Sequence, residues 1–214
     1  MSLFTYTQNF DGLSTGNLSG QDSWVYNSGA QPQVQTSVFE SSPNGISGAL
    51  NSNINTQRDI TAVTTDNAIY YFSLRVDNVA TVDNMGLQFN AGATAIAVVY
   101  MNAPNAGDIG LRDPIGGAYT NLQTGASANT WYRIGVEFDF TNDRVRANIN
   151  NGTMSAWRTM TAFSQVNRLV ITGNNGDGAT TIGYWDNFST TYPIGGGFVP
   201  TPLMHQRMMA GGNI

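Results

Sequence analysis

The chain of 214 residues contains no cysteine and no lysine, and its single histidine is His205. Without cysteine, disulfide bonds and thiolate metal sites are excluded. A Ser-His-Asp triad or a histidine-ligated zinc site would have to depend on His205, and we expect neither. Gly-x-Gly-x-x-Gly and Walker sequences are also missing, which argues against the nucleotide sites that those motifs form.

Positive charge is scarce as well. The formal net charge is -5 at pH 7, so no broad basic surface is available for phosphate backbones or anionic lipid, and we expect neither nucleic acid nor membrane partners. The first ten residues lack a basic n-region and an apolar h-region, and no segment is apolar for long enough to span a bilayer. The sequence therefore predicts a protein that is not exported through a signal peptide.

Runs rich in β-branched and aromatic residues recur between clusters of Gly, Asn, Asp and Pro, while no helical period is sustained. This pattern predicts an all-β fold. Residues 103–117 are expected to form a loop, and Ala95–Tyr100, apolar on both faces, a central strand. The expected strands are Leu3–Phe10, Gln33–Phe39, Ile46–Leu50, Ala68–Val76, Met85–Asn90, Thr94–Met101, Trp131–Phe140, Asp143–Asn150, Thr153–Arg158, Arg168–Thr172 and Thr181–Thr190.

The stretch from Trp131 to Asn150 is typical of a β-hairpin. Apolar side chains occupy alternate positions of both halves, which predicts strands with one face in a core and the other in water. Both apolar sets share a face only if the loop has two or four residues. This register places Glu137 opposite Arg146 and Asp139 opposite Arg144.

Three segments carry a resemblance to a known family. They are Phe10-Asp11-Gly12, the Trp131-Tyr132 strand with its downstream Asn151-Gly152 turn, and the closing Tyr184-Trp185-Asp186-Asn187-Phe188. In this order they resemble the concanavalin A-like lectin and glucanase superfamily, including laminin-G-like modules, over residues 4–190. The resemblance implies a two-sheet antiparallel jelly-roll sandwich with adjacent first and last strands. It also implies a function among lectins, glycanases, adhesive modules and phage virion proteins.

The segment Glu137-Phe-Asp139 resembles the acid motif of the family's glucanases, but Thr141 stands where a third carboxylate is expected. A glycosidase needs one carboxyl with a raised pKa in a partly dry site. Arg146 and Arg144 opposite the two acids favour the ionised form instead. We therefore interpret both pairs as structural, contributing roughly 0.2 to 1 kcal/mol each, and expect no catalytic residue here.

Two further groups of residues are open to two interpretations each. The Asn151-Gly152 turn places Trp157 opposite Arg146. The Trp157 indole then either stacks on the Arg146 guanidinium or forms a platform for a glycan. Asp186 points inward if Ile182, Tyr184 and Phe188 do. Its carboxylate then bonds to backbone amides or to a Trp or Tyr, or else shares a calcium ion with Asp11. No other cofactor is expected.

The composition changes after Tyr192 to a segment rich in Gly, Pro and Met. We expect a sandwich domain over residues 1–192 and an irregular docking tail over residues 193–214, because Pro and Gly prevent a regular ladder. Its candidate docking residues are Phe198, Leu203, Met204, Met208 and Met209.

The expected function is a non-catalytic structural or decoration protein of a phage particle. It would be made in the host cytoplasm and displayed on the virion surface, docked through its tail or a sheet edge to shell proteins and sister copies. Two alternatives remain. One is a carbohydrate-binding lectin or adhesin module of the tail-fibre type, and the other is a glycan-active hydrolase or lyase.

Overall fold

Fifteen β-strands occur in residues 3–50, 52–81, 83–113, 117–174 and 181–192, which are the residues that the computed structural model describes. Within these ranges no helix has the length and hydropathy of a membrane span. The strands are β1 (Gly16–Asn17), β2 (Val25–Gly29), β3 (Gln33–Gln35), β4 (Gly45–Ala49), β5 (Ile54–Val63), β6 (Ala68–Val76), β7 (Asn84–Ala91), β8 (Thr94–Met101), β9 (Ile109–Arg112), β10 (Tyr119–Gln123), β11 (Tyr132–Asp139), β12 (Arg144–Ile149), β13 (Arg158–Thr159), β14 (Val166–Asn174) and β15 (Ile182–Ser189).

Two sheets divide the strands between them. The eight-stranded sheet has the order β1-β3-β4-β15-β6-β11-β12-β13, and the seven-stranded sheet has the order β10-β9-β8-β7-β14-β5-β2. Neighbouring strands pair antiparallel, as β11 does with β6 and β14 with β7. The all-β, two-sheet sandwich expected from the sequence is confirmed. Its expected tail, including Phe198, Leu203, Met204, Met208 and Met209, lies outside the described residues.

A hydrophobic core fills the space between the sheets. Phe138 of β11 and Phe89 of β7 meet there with ring centroids 5.1 Å apart, and Tyr70 of β6 lies 6.1 Å from Phe89. Trp185 of β15 is fully buried and donates its indole N–H to the carbonyl of Gly86 on β7 over 2.9 Å. This bond satisfies a polar atom that burial would otherwise leave unpaired.

The hairpin of β11 and β12 has the predicted register. Glu137 lies opposite Arg146 and Asp139 opposite Arg144, and residues 140–143 form the connection. Of the two loop lengths allowed by parity, the longer is therefore present. Strand β8 also follows its prediction over Ile96–Val99, which are buried on both faces.

The prediction of a strand over Leu3–Phe10 is wrong. Only Gln8 pairs, exchanging two backbone hydrogen bonds of 2.7 and 2.8 Å with Phe188. The Tyr6 hydroxyl and the Gln8 side-chain amide donate instead to Asp22 over 2.8 and 2.7 Å. Side chains thus anchor this segment, and its contact with β15 still brings the two ends of the sandwich together as the resemblance implies.

Four strands of the seven-stranded sheet escaped prediction for identifiable reasons. In β5 the fully buried Thr56 holds a core position with a polar residue, which hides the alternation. Strand β2 is exposed at all five positions, so it has no alternation at all. Strands β9 and β10 are short and lie in or just after residues 103–117, where the sequence predicts a loop.

The second predicted hairpin is only partly right. Asn150 and Asn151 have φ values of 52° and 58°, and the Gly152 amide donates to the Ile149 carbonyl over 2.9 Å. The turn is therefore centred on Asn150-Asn151, with positive φ at both central residues, as a type I′ turn requires. The Ser155 amide donates to the Ala147 carbonyl over 2.8 Å, but a strand resumes only at β13. Of the strand expected over Thr153–Arg158, only Arg158 therefore lies in a strand.

Candidate functional site

Both predicted ion pairs are present on the outer face of the eight-stranded sheet. The Arg146 Nε donates to Glu137 Oε2 over 2.7 Å, and the Arg144 Nε donates to Asp139 Oδ2 over 2.6 Å. Asn142 donates to both oxygens of Asp139, over 3.0 and 2.9 Å. The hydrogen bonds from Asn142 and then from Arg144 hold the pKa of Asp139 below its ordinary value. Asp139 therefore remains ionised at neutral pH.

This face is not the solvated surface that the sequence predicts. Arg133, Glu137 and Asp139 are only 4%, 4% and 5% exposed. The reason is that side chains of neighbouring strands lie over β11: a Cβ added to Gly135 would come within 2.7 Å of Cε1 of Tyr71. Because the acids are shielded, loss of an arginine partner would leave a poorly solvated charge.

Trp157 stacks with arginine, as the first of its two interpretations expects. Its ring centroid lies 4.3 Å from the guanidinium carbon of Arg146 and 4.6 Å from that of Arg144. The pairing of Val145 with Arg158 places Trp157 next in line, opposite Arg146. The guanidinium groups occupy space over the indole that a sugar ring would need. A ligand site formed by Trp157 and Arg146 stays a prediction.

Asp186 does not share a side of its strand with Phe188, contrary to the prediction. It lies opposite Ser73 on the outer face, while its neighbour Trp185 points into the core. The register shifts between Asp186 and Ser189, and Asn187 has a φ of 53°. This bulge reverses the alternation and returns Phe188 to the core.

The Asp186 carboxylate is nevertheless completely buried, and it is held by backbone amides. Its Oδ2 accepts from the amides of Glu40 and Ser41 over 2.8 and 3.0 Å, and its Oδ1 accepts from the amide of Asn187 over 2.7 Å. Burial raises the pKa of Asp186 to about 7, although these hydrogen bonds act in the opposite direction.

Asp11 makes different contacts from Asp186. Its oxygens accept from the Asn44 amide over 3.2 Å and from the Asn9 side chain over 2.6 Å. In the part of the chain that the structure describes, no group of three or more His, Cys, Asp or Glu residues could hold a metal ion. The Asp186 carboxylate is thus bonded to backbone amides, and a calcium ion shared by Asp186 and Asp11 stays a prediction.

Arg133 forms the centre of a second balanced cluster on this face. Its Nη1 donates to the carbonyl of Asn187 and its Nη2 donates to Ser189 Oγ over 2.7 Å. Glu40 Oε2 lies 3.8 Å from the guanidinium. Burial lowers the pKa of Arg133, but these partners compensate for the desolvated charge.

A polar groove crosses the outer face of the other, seven-stranded sheet. Its volume is about 360 Å³, within the range of ligand pockets. Tyr100 faces outward because its neighbours on β8, Val99 and Met101, are in the core. We call this site the tyrosine groove; the lining residues used below are Asn55, Asn84, Tyr100, Arg112, Tyr119 and Thr172.

Two glycines determine how the tyrosine rings lie. A Cβ added to Gly86 would stand 2.9 Å from Cδ1 of Tyr100, and one added to Gly110 would stand 3.1 Å from Cδ1 of Tyr119. Gly86 is paired with Tyr100, and Gly110 lies on the strand next to Tyr119. Because neither glycine has a side chain, both rings lean against the sheet and form part of the groove wall.

Polar atoms surround these rings. Burial raises the pKa of the Tyr100 hydroxyl above its ordinary value, and the neighbouring Thr172 and Arg112 act in the opposite direction. The Arg112 guanidinium carbon lies 5.4 Å from the Tyr119 ring centroid. Among the described residues, the Nε of Arg112 and the Oδ1 of Asn55 are buried without a hydrogen-bond partner.

None of the groove residues was predicted from the sequence. Tyr100 was assigned to a strand covered on both faces, and Arg112 to a loop. One signal was available: Ile109 and Leu111, both in the core, alternate with Gly110 and Arg112, as expected for a short strand with one outward face.

No protein-family profile matches the chain, and no curated protein matches it. Solved structures do match. A sialidase superposes with a TM-score of 0.66 at 10% identity, over 88% of this chain and 18% of the sialidase. A β-glucanase catalytic domain from Podospora anserina gives 0.57 at 12% identity, over 86% and 95%. Basic winged bean lectin with Tn-antigen gives 0.53 at 10% identity, over 86% and 96%.

These matches confirm the predicted fold: the chain has the concanavalin A-like lectin and glucanase β-sandwich. The chain spans less than a fifth of the sialidase. The prediction that the protein is not an enzyme is contradicted, because two of these three structures are of glycan-active proteins. The predictions of a virion location, shell partners and sister copies are not tested and stay predictions.

Proposed function

We propose that the protein binds a carbohydrate in the tyrosine groove. The observation that carries the proposal is the pair of rings, Tyr100 and Tyr119, that lean against the sheet beside unpaired polar atoms. Aromatic rings offer flat apolar surfaces with a polar tip, which suits the apolar faces of sugar rings. The matched lectin and glycan-active enzymes support the same ligand class through a shared fold.

The rest of the groove supplies groups suited to sugar hydroxyls. Asn55, Asn84 and Thr172 provide amide and hydroxyl groups, each of which both donates and accepts hydrogen bonds. A few such groups fixed around an apolar wall determine the orientation of a bound ligand. By contrast, the indole of Trp157 is already in contact with two arginines.

The test is a glycan array followed by calorimetric titration of the strongest hit. Tyr100→Ala and Tyr119→Ala should each weaken binding about fivefold, since an aromatic contact is worth on the order of 1 kcal/mol. Trp157→Ala, on the other sheet, is the matched control and should bind as the wild type does. Near-ultraviolet circular dichroism checks that each variant is folded. Loss of binding in the Trp157 variant alone would move the site to the eight-stranded sheet.

Glycan cleavage in the same groove is a second candidate function. None of the described lining residues is acidic, so the paired carboxylates of a glycosidase are not available there. The side chain best placed to move a proton is Tyr100, whose hydroxyl lies near the cationic Arg112.

Turnover of the bound glycan, measured as newly formed chain ends, tests this candidate. Tyr100→Phe should abolish turnover but keep most of the binding, because the ring remains. Glu137→Gln should leave turnover unchanged, since Glu137 lies on the other sheet and is bonded to Arg146. Turnover that survives Tyr100→Phe and disappears with Glu137→Gln would reverse this assignment.

A further inference from the structure

Arg112 differs from most other arginines of the sandwich in having no carboxylate beside it. No ion pair joins Arg112 to an acidic group within the described ranges, and the described lining of the groove contains no acid. The arginines that do pair are Arg58, Arg133, Arg144, Arg146 and Arg168. In a chain with a net charge of -5, the tyrosine groove is thus a local site of positive charge.

The surroundings hold the Arg112 guanidinium in place. Arg112 lies opposite Tyr119 on β10 and opposite Val98 on β8. Its guanidinium carbon is 5.4 Å from the Tyr119 ring centroid, and its positive charge acts on the neighbouring Tyr100 hydroxyl. An arginine stacked in this way loses less side-chain freedom when it binds a ligand.

One donor of this guanidinium is left without a partner. Among the described residues, no oxygen accepts a hydrogen bond from the buried Arg112 Nε–H, and a buried donor without a partner costs free energy. A hydroxyl would satisfy the N–H but leave the charge unbalanced. A carboxylate does both, and its two oxygens match the fork of guanidinium N–H groups.

We propose that the tyrosine groove selects acidic sugars, with the sugar carboxylate bound by Arg112. The proposal rests on the proposed function, since it names the class of glycan that the same groove takes. Tyr100 and Tyr119 contact the sugar ring, and the Arg112 guanidinium forms an ion pair with the sugar carboxylate. The uronates and the sialic acids share this chemistry.

The test compares acidic oligosaccharides with their own carboxyl-reduced counterparts. Oligomers of galacturonate, mannuronate and glucuronate and a sialyl-lactose are titrated calorimetrically into the wild-type protein. At least one acid should bind about tenfold or more tightly than its reduced form, the discrimination expected of one charge-assisted bidentate contact. This preference should shrink as salt is added if the contact remains partly open to solvent.

Arg112→Gln should remove the preference for the acid over its reduced form, and Arg112→Lys should restore part of it. Arg168→Gln is the matched control, because Arg168 lies on the same sheet but pairs with Asp59 over 2.6 Å; it should keep the full preference. If neutral glycans bind and no acid exceeds its reduced form, this inference fails and the proposed function stands. If no glycan of either kind binds, the proposed function fails as well. The wild-type comparison decides the question even if an Arg112 variant does not fold.

Discussion

The eight-stranded face around β11 and the tyrosine groove of the seven-stranded sheet differ in how their arginines are paired. On the eight-stranded sheet, Arg146 and Arg144 contact Glu137 and Asp139 at 2.7 and 2.6 Å. On the seven-stranded sheet, Arg112 lies beside two tyrosines and no described acid. Paired charges cancel each other's field, and their hydrogen bonds are made within the protein. An unpaired arginine in a groove can direct its charge and its N–H donors to a ligand.

The contrast shows that charged residues alone do not mark a site in this fold. Glu137 and Asp139 form the more conspicuous sequence motif, yet their oxygens are engaged by arginine and asparagine side chains. Tyr100 and Arg112 are inconspicuous in the sequence, yet they line a groove whose described residues include no acid. A lined groove is therefore a better guide to where this molecule meets another than a charged sequence motif.

The largest expected effect comes from breaking the balanced face at Arg133. Arg133→Met removes a 4%-exposed cation and the partner of Glu40, so the free energy of unfolding should fall by about 3 kcal/mol. Urea denaturation measures it. Glycan binding in the tyrosine groove of the folded variant should not change. A loss below about 1 kcal/mol would mean that this cluster is solvated, contrary to its burial.

A smaller loss is expected from Glu137→Gln. The substitution keeps the shape of the side chain but weakens its bond to Arg146, and the cost should be about 2 kcal/mol for a charge-assisted bond that is shielded from water. Arg146→Gln, measured by the same denaturation, should cost a similar amount, and the double variant should cost less than the sum. Additive costs would show that the two residues do not stabilise each other.

A change of pH should alter the free energy of unfolding by less than these substitutions, through Asp186 on the eight-stranded face. Because the pKa of Asp186 is raised to about 7, the folded state holds a proton that the unfolded chain releases near pH 4. The contribution of Asp186 to stability should therefore fall as the pH rises from about 4 to about 7. Subtracting the unfolding free energies of Asp186→Asn from those of the wild type at each pH isolates this slope. A difference that does not vary with pH would show that the amide hydrogen bonds fully offset the effect of burial on the Asp186 pKa.

The smallest effect should come from Asp59→Asn. The Asp59 side chain is 72% exposed, so its pair with Arg168 should contribute less than about 1 kcal/mol. The variant sharpens the comparison because it adds unpaired positive charge to the sheet that carries the tyrosine groove, outside the groove itself. The preference for acidic sugars should not increase. An increase comparable to the effect of Arg112 would show that the field of the whole sheet, and not one contact, selects the ligand.

What could be predicted from the sequence is the part in which burial dictates register. The hairpin of β11 and β12 was predictable down to its pairs, because a slip by one residue would expose every apolar side chain. The side of the strand on which Phe188 lies was not predictable, because the bulge at Asn187 reverses the alternation and leaves no signal in the hydrophobic pattern of the sequence. Strand β5 was hidden in the same way by a polar residue, Thr56, in the core.

The candidate site was out of reach for a different reason. Tyr100, Arg112 and Tyr119 come from three strands, and only the strand order β10-β9-β8 brings them together. The positions of Gly86 and Gly110 beneath the rings depend on the same pairing. Local periodicity carries no information about such cross-strand neighbours, although it did mark the outward position of Arg112.

Gly86 connects the two sides of its sheet. On the inner side its carbonyl accepts the indole N–H of Trp185, and on the outer side the ring of Tyr100 rests beside its Cα. A single peptide unit thus separates the hydrophobic core from the groove proposed to bind a sugar. Changes in packing around Trp185 should therefore shift the Tyr100 ring and alter the affinity of the groove for its ligand.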